Sequence, residues 1–271
     1  MKAAIIGAGA IGGFYGAALA DAGMDVSFIA RGKTLIAIRE HGLRLVGNTE
    51  LTLDVPVTDD AAEIGQVDVV LLCTKTFQVA EAARTYLPAL MGPHTLVVTT
   101  QNGVIAPHEL SAIIGPEHVA PGVCRQWVKI VEPGLIMDLG GPRMFEVSTI
   151  DDSPNTLVNE LREACRKGGL TSPDVENITT TLWVKMCSVV PPKEPVVQYS
   201  TSPWATSLVP TAMSSLGVST KLFRWLALTA PGSPTTSSRR TSHSLLGRIP
   251  RQQPPSSATS LLDAPANTLL R

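Results

Sequence analysis

The chain opens with an uninterrupted apolar run, Ala3-Ala4-Ile5-Ile6, which stops at Gly7 and is followed by small residues as far as Ala22. A short apolar run closed by a turn signal predicts a buried strand, and the stretch behind it predicts a helix. Met24 to Arg31 repeats the strand pattern, Thr34 to Glu40 reads as a helix, and the segments LRLVG and LTLDVPV read as a hairpin-like pair. The run VDVVLLCTK at 67–75 lacks the alternation of a half-solvated strand, as expected where helices cover both faces of a sheet. Gln78 to Leu90 predicts an amphipathic helix, TLVVTT the next strand, and Val119 to Val147 a series of short strands. Thr156 to Gly168 and Thr179 to Cys187 read as helices on either side of a break at Ser172-Pro173-Asp174, which puts a domain boundary near residue 175. Strands alternating with helices imply an α/β fold, a doubly wound and mostly parallel sheet with right-handed crossovers.

The first strand-to-helix turn carries GAGAIG, residues Gly7, Ala8, Gly9, Ala10, Ile11 and Gly12, at G-x-G-x-x-G spacing. Its place after a buried strand and before a helix is the context in which this spacing binds a dinucleotide, so the fold is expected to be Rossmann-type. Gly7 makes the turn, Gly9 lets a pyrophosphate approach the backbone, Gly12 lets helix and strand pack, and the helix N-terminus stabilises negative charge. The end of the second strand then chooses between cofactors. An NAD site places Asp or Glu there for the ribose hydroxyl, but this chain reads Ile29-Ala30-Arg31-Gly32-Lys33. Arg31, with Lys33 near it, offers charge-assisted donors to a 2′-phosphate and favours NADPH; the plainer alternative is a solvated loop charge.

Two more strand ends carry polar residues. Thr74, Lys75 and Gln78 follow the VDVVLLC strand, and Gln101, Asn102 and Gly103 follow LVVTT, so both sets are expected to flank one crevice at the carboxyl edge of the sheet. Lys75 there can meet a ribose, a phosphate or a substrate carboxylate, or be an exposed cation at a helix start. Asn102 before Gly103 can equally be a turn residue.

Composition narrows the function classes. The net charge is −1, which removes the basic excess that draws nucleic acid or anionic lipid, and no apolar run approaches the roughly 20 residues of a membrane span. No secretory signal is visible at the start, so the expected compartment is the cytoplasm. Cys73, Cys124, Cys165 and Cys187 lie far apart without a C-x-x-C pair, and are expected to act as small hydrophobes rather than metal ligands or disulfides. The chain changes character near residue 188. Residues 1–187 carry 14 Lys and Arg against 21 Asp and Glu, a net of −7, whereas 188–271 carry 8 against 2, a net of +6. The second stretch also holds 11 Pro, 15 Ser and 10 Thr among 84 residues, leaves room for a long helix only at Ala212 to Thr229, and is expected to be a poorly ordered tail.

The order GAGAIG, Ala30-Arg31, CTKTFQ, QNGV, LWVKM resembles the ketopantoate reductases (2-dehydropantoate 2-reductases) over about residues 1–187. The resemblance implies reduction of the ketone of 2-dehydropantoate to pantoate by NADPH, on the way to pantothenate and coenzyme A. With the break near 175 it gives a Rossmann domain at 1–175 and the start of a helical substrate domain at 176–187, whereas residues 188–271 depart from the family as an aberrant tail. It gives Lys185 the role of proton donor to the ketone oxygen, as needed when arriving hydride leaves an alkoxide. Asn102 matches a residue beside nicotinamide and substrate; Arg31, Lys75 and Gln78 match the adenosine-phosphate side; a homodimer stays open. The family continues its lysine helix with asparagines four and eight residues on, where this chain has Val189 and Lys193, and its later serine and glutamate have no counterpart in the tail, whose only acids are Glu194 and Asp263. A reading-frame shift near codon 188 would produce such a switch. Two other functions compete: a sister reductase for another 2-oxo acid, and an NADP-binding chain without turnover.

Overall fold

The computed structural model of this protein describes residues 1–189, so the tail readings, among them Lys193, Glu194, Asp263 and the helix at Ala212 to Thr229, fall outside the described residues. The elements run β1 (Lys2–Ile6), α1 (Ala10–Asp21), β2 (Asp25–Ile29), α2 (Gly32–His41), β3 (Leu43–Gly47), β4 (Leu51–Leu53), β5 (Val57–Thr58), α3 (Ala61–Ile64) and β6 (Val67–Leu72). After a 3-10 turn at Thr76–Gln78 come α4 (Val79–Leu90), β7 (Met91–Thr99), α5 (Ala106–Ile114), β8 (Val119–Arg125), β9 (Val128–Glu132), β10 (Leu135–Asp138), β11 (Met144–Val147), α6 (Thr156–Lys167) and α7 (Ile178–Val189).

Seven strands form the main sheet in the order β11-β8-β7-β6-β1-β2-β5. Every neighbouring pair is parallel except β11 with β8, so the doubly wound, Rossmann-like architecture is the one the alternating pattern predicts. Both faces of the central strands are covered, which is why those strands read as unbroken apolar runs. Side chains alternate between two cores. Ala3, Ile5, Val69, Leu71, Leu96 and Val98 enter the core shared with α1 and α6, and Ala4, Ile6, Val70, Leu72 and Val97 enter the core shared with α4.

One feature differs from expectation. The predicted pair at 43–57 splits: β3 and β4 do form an antiparallel hairpin, but β5 leaves it to pair with β2 at the edge of the main sheet. The hairpin instead joins β10 and β9 in a second, four-stranded sheet, β4-β3-β10-β9. This sheet packs across α1, which is therefore held between two sheets and is buried over Gly12 to Leu19. The small residues of α1 follow from that: a Cβ on Gly13 would stand 2.1 Å from Ile136 Cδ1 of the second sheet, and one on Gly16 2.6 Å from the Phe28 ring of the first.

The last described helix is anchored at its start. Asn177 accepts the Thr180 N–H at 2.7 Å, and Asp152 accepts that of Ile178 at 2.9 Å. Ile178 and Leu182 then pack on Val123 of β8, and Lys185, seven residues after Ile178, lies on the same helix face.

Candidate functional site

A cleft of about 800 Å³ opens along the carboxyl edge of the main sheet. The GAGAIG turn forms its floor, and each glycine there answers to a different demand. Gly7 has φ +101°, a backbone that side chains rarely adopt, and the Cys73 carbonyl lies 3.2 Å from where its Cβ would be. Gly12 faces inward: a Cβ would meet the Gly7 oxygen at 2.0 Å and Cys73 Cβ at 2.9 Å, so it sets the approach of α1 to the strands. Gly9 has an ordinary extended φ of −81°, and a Cβ on it would meet nothing within 4 Å. Neither backbone nor packing asks for glycine at position 9. The space there is open to a ligand at the N-terminus of α1, and that end of the helix carries no acidic residue in its first turn.

The sequence-predicted residues converge here. Gly7, Ala8, Gly9, Ala10, Ile11, Arg31, Lys75, Gln78, Asn102 and Lys185 all line the cleft, and Gly12 lies behind the floor. Arg31 caps α2 at the end of β2, with its guanidinium 5.9 Å from the centre of the Tyr86 ring. Lys75 is exposed where β6 leaves the sheet. Gln78 does more than face the cleft: its Oε1 accepts the Lys75 N–H at 3.2 Å and so holds the 3-10 turn. Gln101 is structural. Its Nε2 donates to the carbonyls of Leu72 (2.8 Å) and Thr74 (3.0 Å), stitching the ends of β6 and β7, while Gly103 at φ +101° turns the chain and leaves Asn102 exposed in the cleft.

Thr74 carries a signal for a ligand. Its Oγ1 is buried, lines the cleft, and has no hydrogen-bond partner among the described residues. A buried hydroxyl left in that state costs free energy that a bound polar group would recover.

At the far end, Lys185 is half-buried and donates from Nζ to the Cys124 carbonyl of β8 at 2.5 Å. Burial pushes its pKa below the ordinary lysine value, with nearby Arg125 pushing the same way against an opposing pull from Glu146. Of the four cysteines, Cys124 and Cys165 are buried and Cys73 is half-buried, in keeping with small hydrophobes; burial pushes the Cys73 thiol up to about 12. Cys187 is the exception, exposed on α7 just past the face that packs on β8.

Arg125, Gln126, Trp127 and Ile130 also line the cleft, and sequence reading missed them. The signal was available: Arg125 ends β8, one more parallel strand of the same sheet, but the segment read only as short strands. Gln126 is bound up in structure, donating to Asp138 at 2.6 Å and accepting the Arg143 N–H at 2.9 Å. Four cations, Arg31, Lys75, Arg125 and Lys185, line the cleft, and no carboxylate does so among the described residues. They are spread out: Arg31 follows β2 and Arg125 ends β8, and those two strands are four places apart in the sheet, about 19 Å at the usual strand spacing of roughly 4.8 Å. The glycine floor, the orphaned Thr74 hydroxyl and this line of cations fit a long, polyanionic dinucleotide with a small anion beyond it.

The family described as "Ketopantoate reductase PanE/ApbA" matches residues 3–151. A 2-dehydropantoate 2-reductase of Mesorhizobium japonicum is 36% identical over 208 residues, covering 69% of this chain and 63% of that protein. One from Pyrococcus horikoshii is 29% identical over 185 residues, covering 68% and 60%. The crystal structure of 2-dehydropantoate 2-reductase from Geobacter metallireducens superposes with a TM-score of 0.67 at 27% identity, covering 80% of this chain and 74% of that one. The chain thus spans less than two thirds of the length of these two curated relatives. With more than half of its residues matched, this chain belongs to the ketopantoate reductase PanE/ApbA family.

Proposed function

We propose that this chain reduces the ketone of 2-dehydropantoate with NADPH, Lys185 supplying the proton. The observation that carries the reading is the convergence of the GAGAIG turn, Arg31 and Lys185 on one cleft. NADPH, when bound, supplies hydride to the carbonyl carbon. The chain's residues do the rest: the α1 N-terminus and Gly9 accept the pyrophosphate, Thr74 and Lys75 meet its neighbouring polar groups, and Arg31 takes the 2′-phosphate against the Tyr86 ring. Gln78 shapes the turn beneath Lys75. Asn102, on the β7 loop between the two ends, orients the nicotinamide and the substrate.

Lys185 is suited to its part. Held on the Cys124 carbonyl, its ammonium can swing to an oxygen that gains negative charge and give up a proton as the alkoxide forms. Partial burial makes that proton easier to lose than an exposed lysine's. On this reading residues 1–175 are the NADP-binding domain and 176–187 open the substrate domain. The test is oxidation of NADPH by the full chain across a panel of 2-oxo acids; preference for 2-dehydropantoate supports the reading, and equal rates on unrelated acids favour a sister reductase.

A second reading has its own support. The 2-dehydropantoate 2-reductase relatives from Mesorhizobium and Pyrococcus match only 68–69% of this chain, and the positions four and eight residues after Lys185 are Val189 and Lys193. An NADP-binding chain without turnover would show tight NADPH binding and no oxidation with any acid. The coding DNA across codons 180–200, with the intact mass of the protein, tests the frame-shift origin of that difference.

A further inference from the structure

Among the described residues, Arg125 is the one cation of the cleft to which the proposed reaction assigns no work. It ends β8 directly after Cys124, whose carbonyl holds Lys185 of α7, so the helix brings its ammonium to the strand end that carries Arg125. Its setting is built. On the antiparallel pairing of β8 with β11, Arg125 stands opposite Met144 and diagonal to Glu146 on the same face. Its Nε donates to Glu146 Oε2 at 2.8 Å, with the two side chains only 19% and 16% exposed. Among the described residues that is the only hydrogen bond or ion pair of the side chain, so the terminal Nη groups, the fork that matches a carboxylate, remain for the cleft. The strand end itself is stiffened by the next residue, Gln126, which donates to buried Asp138.

We propose, resting on the reductase reading above, that Arg125 anchors the carboxylate of the 2-oxo acid substrate while Lys185 faces its ketone. A 2-oxo acid presents two acceptors on adjacent carbons, and two cations meet at the end of β8, Arg125 from the strand itself and Lys185 from α7, held on the neighbouring Cys124 carbonyl. The division of labour follows from their chemistry. Guanidinium stays charged and grips a carboxylate with two parallel bonds, whereas an ammonium can release its proton to the ketone oxygen. Glu146 holds Arg125 by Nε and so turns the fork outward; it is a positioning residue.

The test compares 2-dehydropantoate with its lactone, which keeps the ketone and has no free carboxylate, using the full chain and NADPH. Arg125→Gln is expected to raise KM for the acid about 100-fold with kcat within about threefold, to leave the lactone's kcat/KM and the NADPH Kd unchanged, and to be partly rescued in Arg125→Lys. Because Arg125→Gln strands a half-buried Glu146, the double variant Arg125→Gln/Glu146→Gln keeps the pair neutral and is expected to show the same KM rise with a wild-type melting temperature. An unchanged KM for the acid, or an equal loss on acid and lactone, overturns the proposal. Failure of the underlying reading shows separately, as a wild-type chain that reduces no 2-oxo acid. Binding of oxamate to the NADPH complex, read by tryptophan fluorescence, then decides: loss in Arg125→Gln supports the anchor and equal binding overturns it.

Discussion

The glycines of the GAGAIG turn separate folding from binding, and two alanine substitutions expose the difference. At position 12 a Cβ would sit 2.0 Å from the Gly7 carbonyl oxygen and 2.9 Å from Cys73 Cβ. Backbone cannot yield as a flexible side chain would, so α1 must lift off β1. Forced overpacking of this kind costs about 3 kcal/mol, at the upper end of the usual range. In a domain of this size each kcal/mol lowers Tm by about 2–4 °C, so Gly12→Ala should melt about 6–12 °C early. At position 9 the added methyl meets nothing within 4 Å and the backbone is already in an alanine-allowed region. Two small terms oppose each other: alanine is a poorer N-cap by about 0.5–1 kcal/mol, and it removes unfolded-state freedom worth about 0.4–1 kcal/mol. Gly9→Ala should therefore melt within about 2 °C of the wild type. Yet its methyl occupies the place where a pyrophosphate would lie, and NADPH affinity should fall at least about 30-fold, roughly 2 kcal/mol. Thermal unfolding without ligand and calorimetric titration with NADPH measure both quantities on the full chain. If Gly9→Ala binds NADPH like the wild type, or melts as early as Gly12→Ala, the assignment of position 9 to a ligand is wrong.

Other expectations follow from the same geometry. Lys185→Ala should lower kcat about 10²- to 10⁴-fold with NADPH affinity retained. Because the ammonium is the active form and burial lowers its pKa, wild-type kcat/KM should fall with rising pH at a value below 10.5, a limb that steady-state profiles of Lys185→Ala should lack. Arg31→Ala should weaken NADPH about 10- to 50-fold while NADH binding stays the same, since only the 2′-phosphate distinguishes them. Asp138 is a buried acceptor for Gln126 (2.6 Å), Thr49 (2.7 Å), the Gly140 N–H (2.9 Å) and Arg143 (3.3 Å). Asp138→Ala leaves these donors and the Arg143 charge unmatched, and denaturant titration should show a loss of about 3 kcal/mol.

What could be read in advance follows the physics of each region. Local signals worked where they were dense: β1, α1, β2 and β6 are set by apolar runs and a glycine turn, and the strand-end rule alone brings Lys75 and Asn102 to one cleft. The second sheet was invisible because its strands are brought together from residues 43–53 and 128–138, and no local pattern tells which distant strand a short run will pair with. Arg125 was hidden for the same reason, since its importance depends on β8 extending the parallel sheet. Gln101 misled in the opposite direction. Its type and position suit a ligand site, but its amide is consumed by the carbonyls of Leu72 and Thr74. Lys185 came from the family resemblance, and its packing on β8 supplies the geometry the motif alone lacked.

The most direct test is loss of reduced-nicotinamide absorbance when the full chain meets NADPH and 2-dehydropantoate, run beside Lys185→Ala. Turnover is expected to need both reactants, with Lys185→Ala slower by at least about 100-fold while it still binds NADPH. A wild-type chain that binds NADPH and never oxidises it, or a Lys185→Ala variant as fast as the wild type, contradicts the proposed reaction.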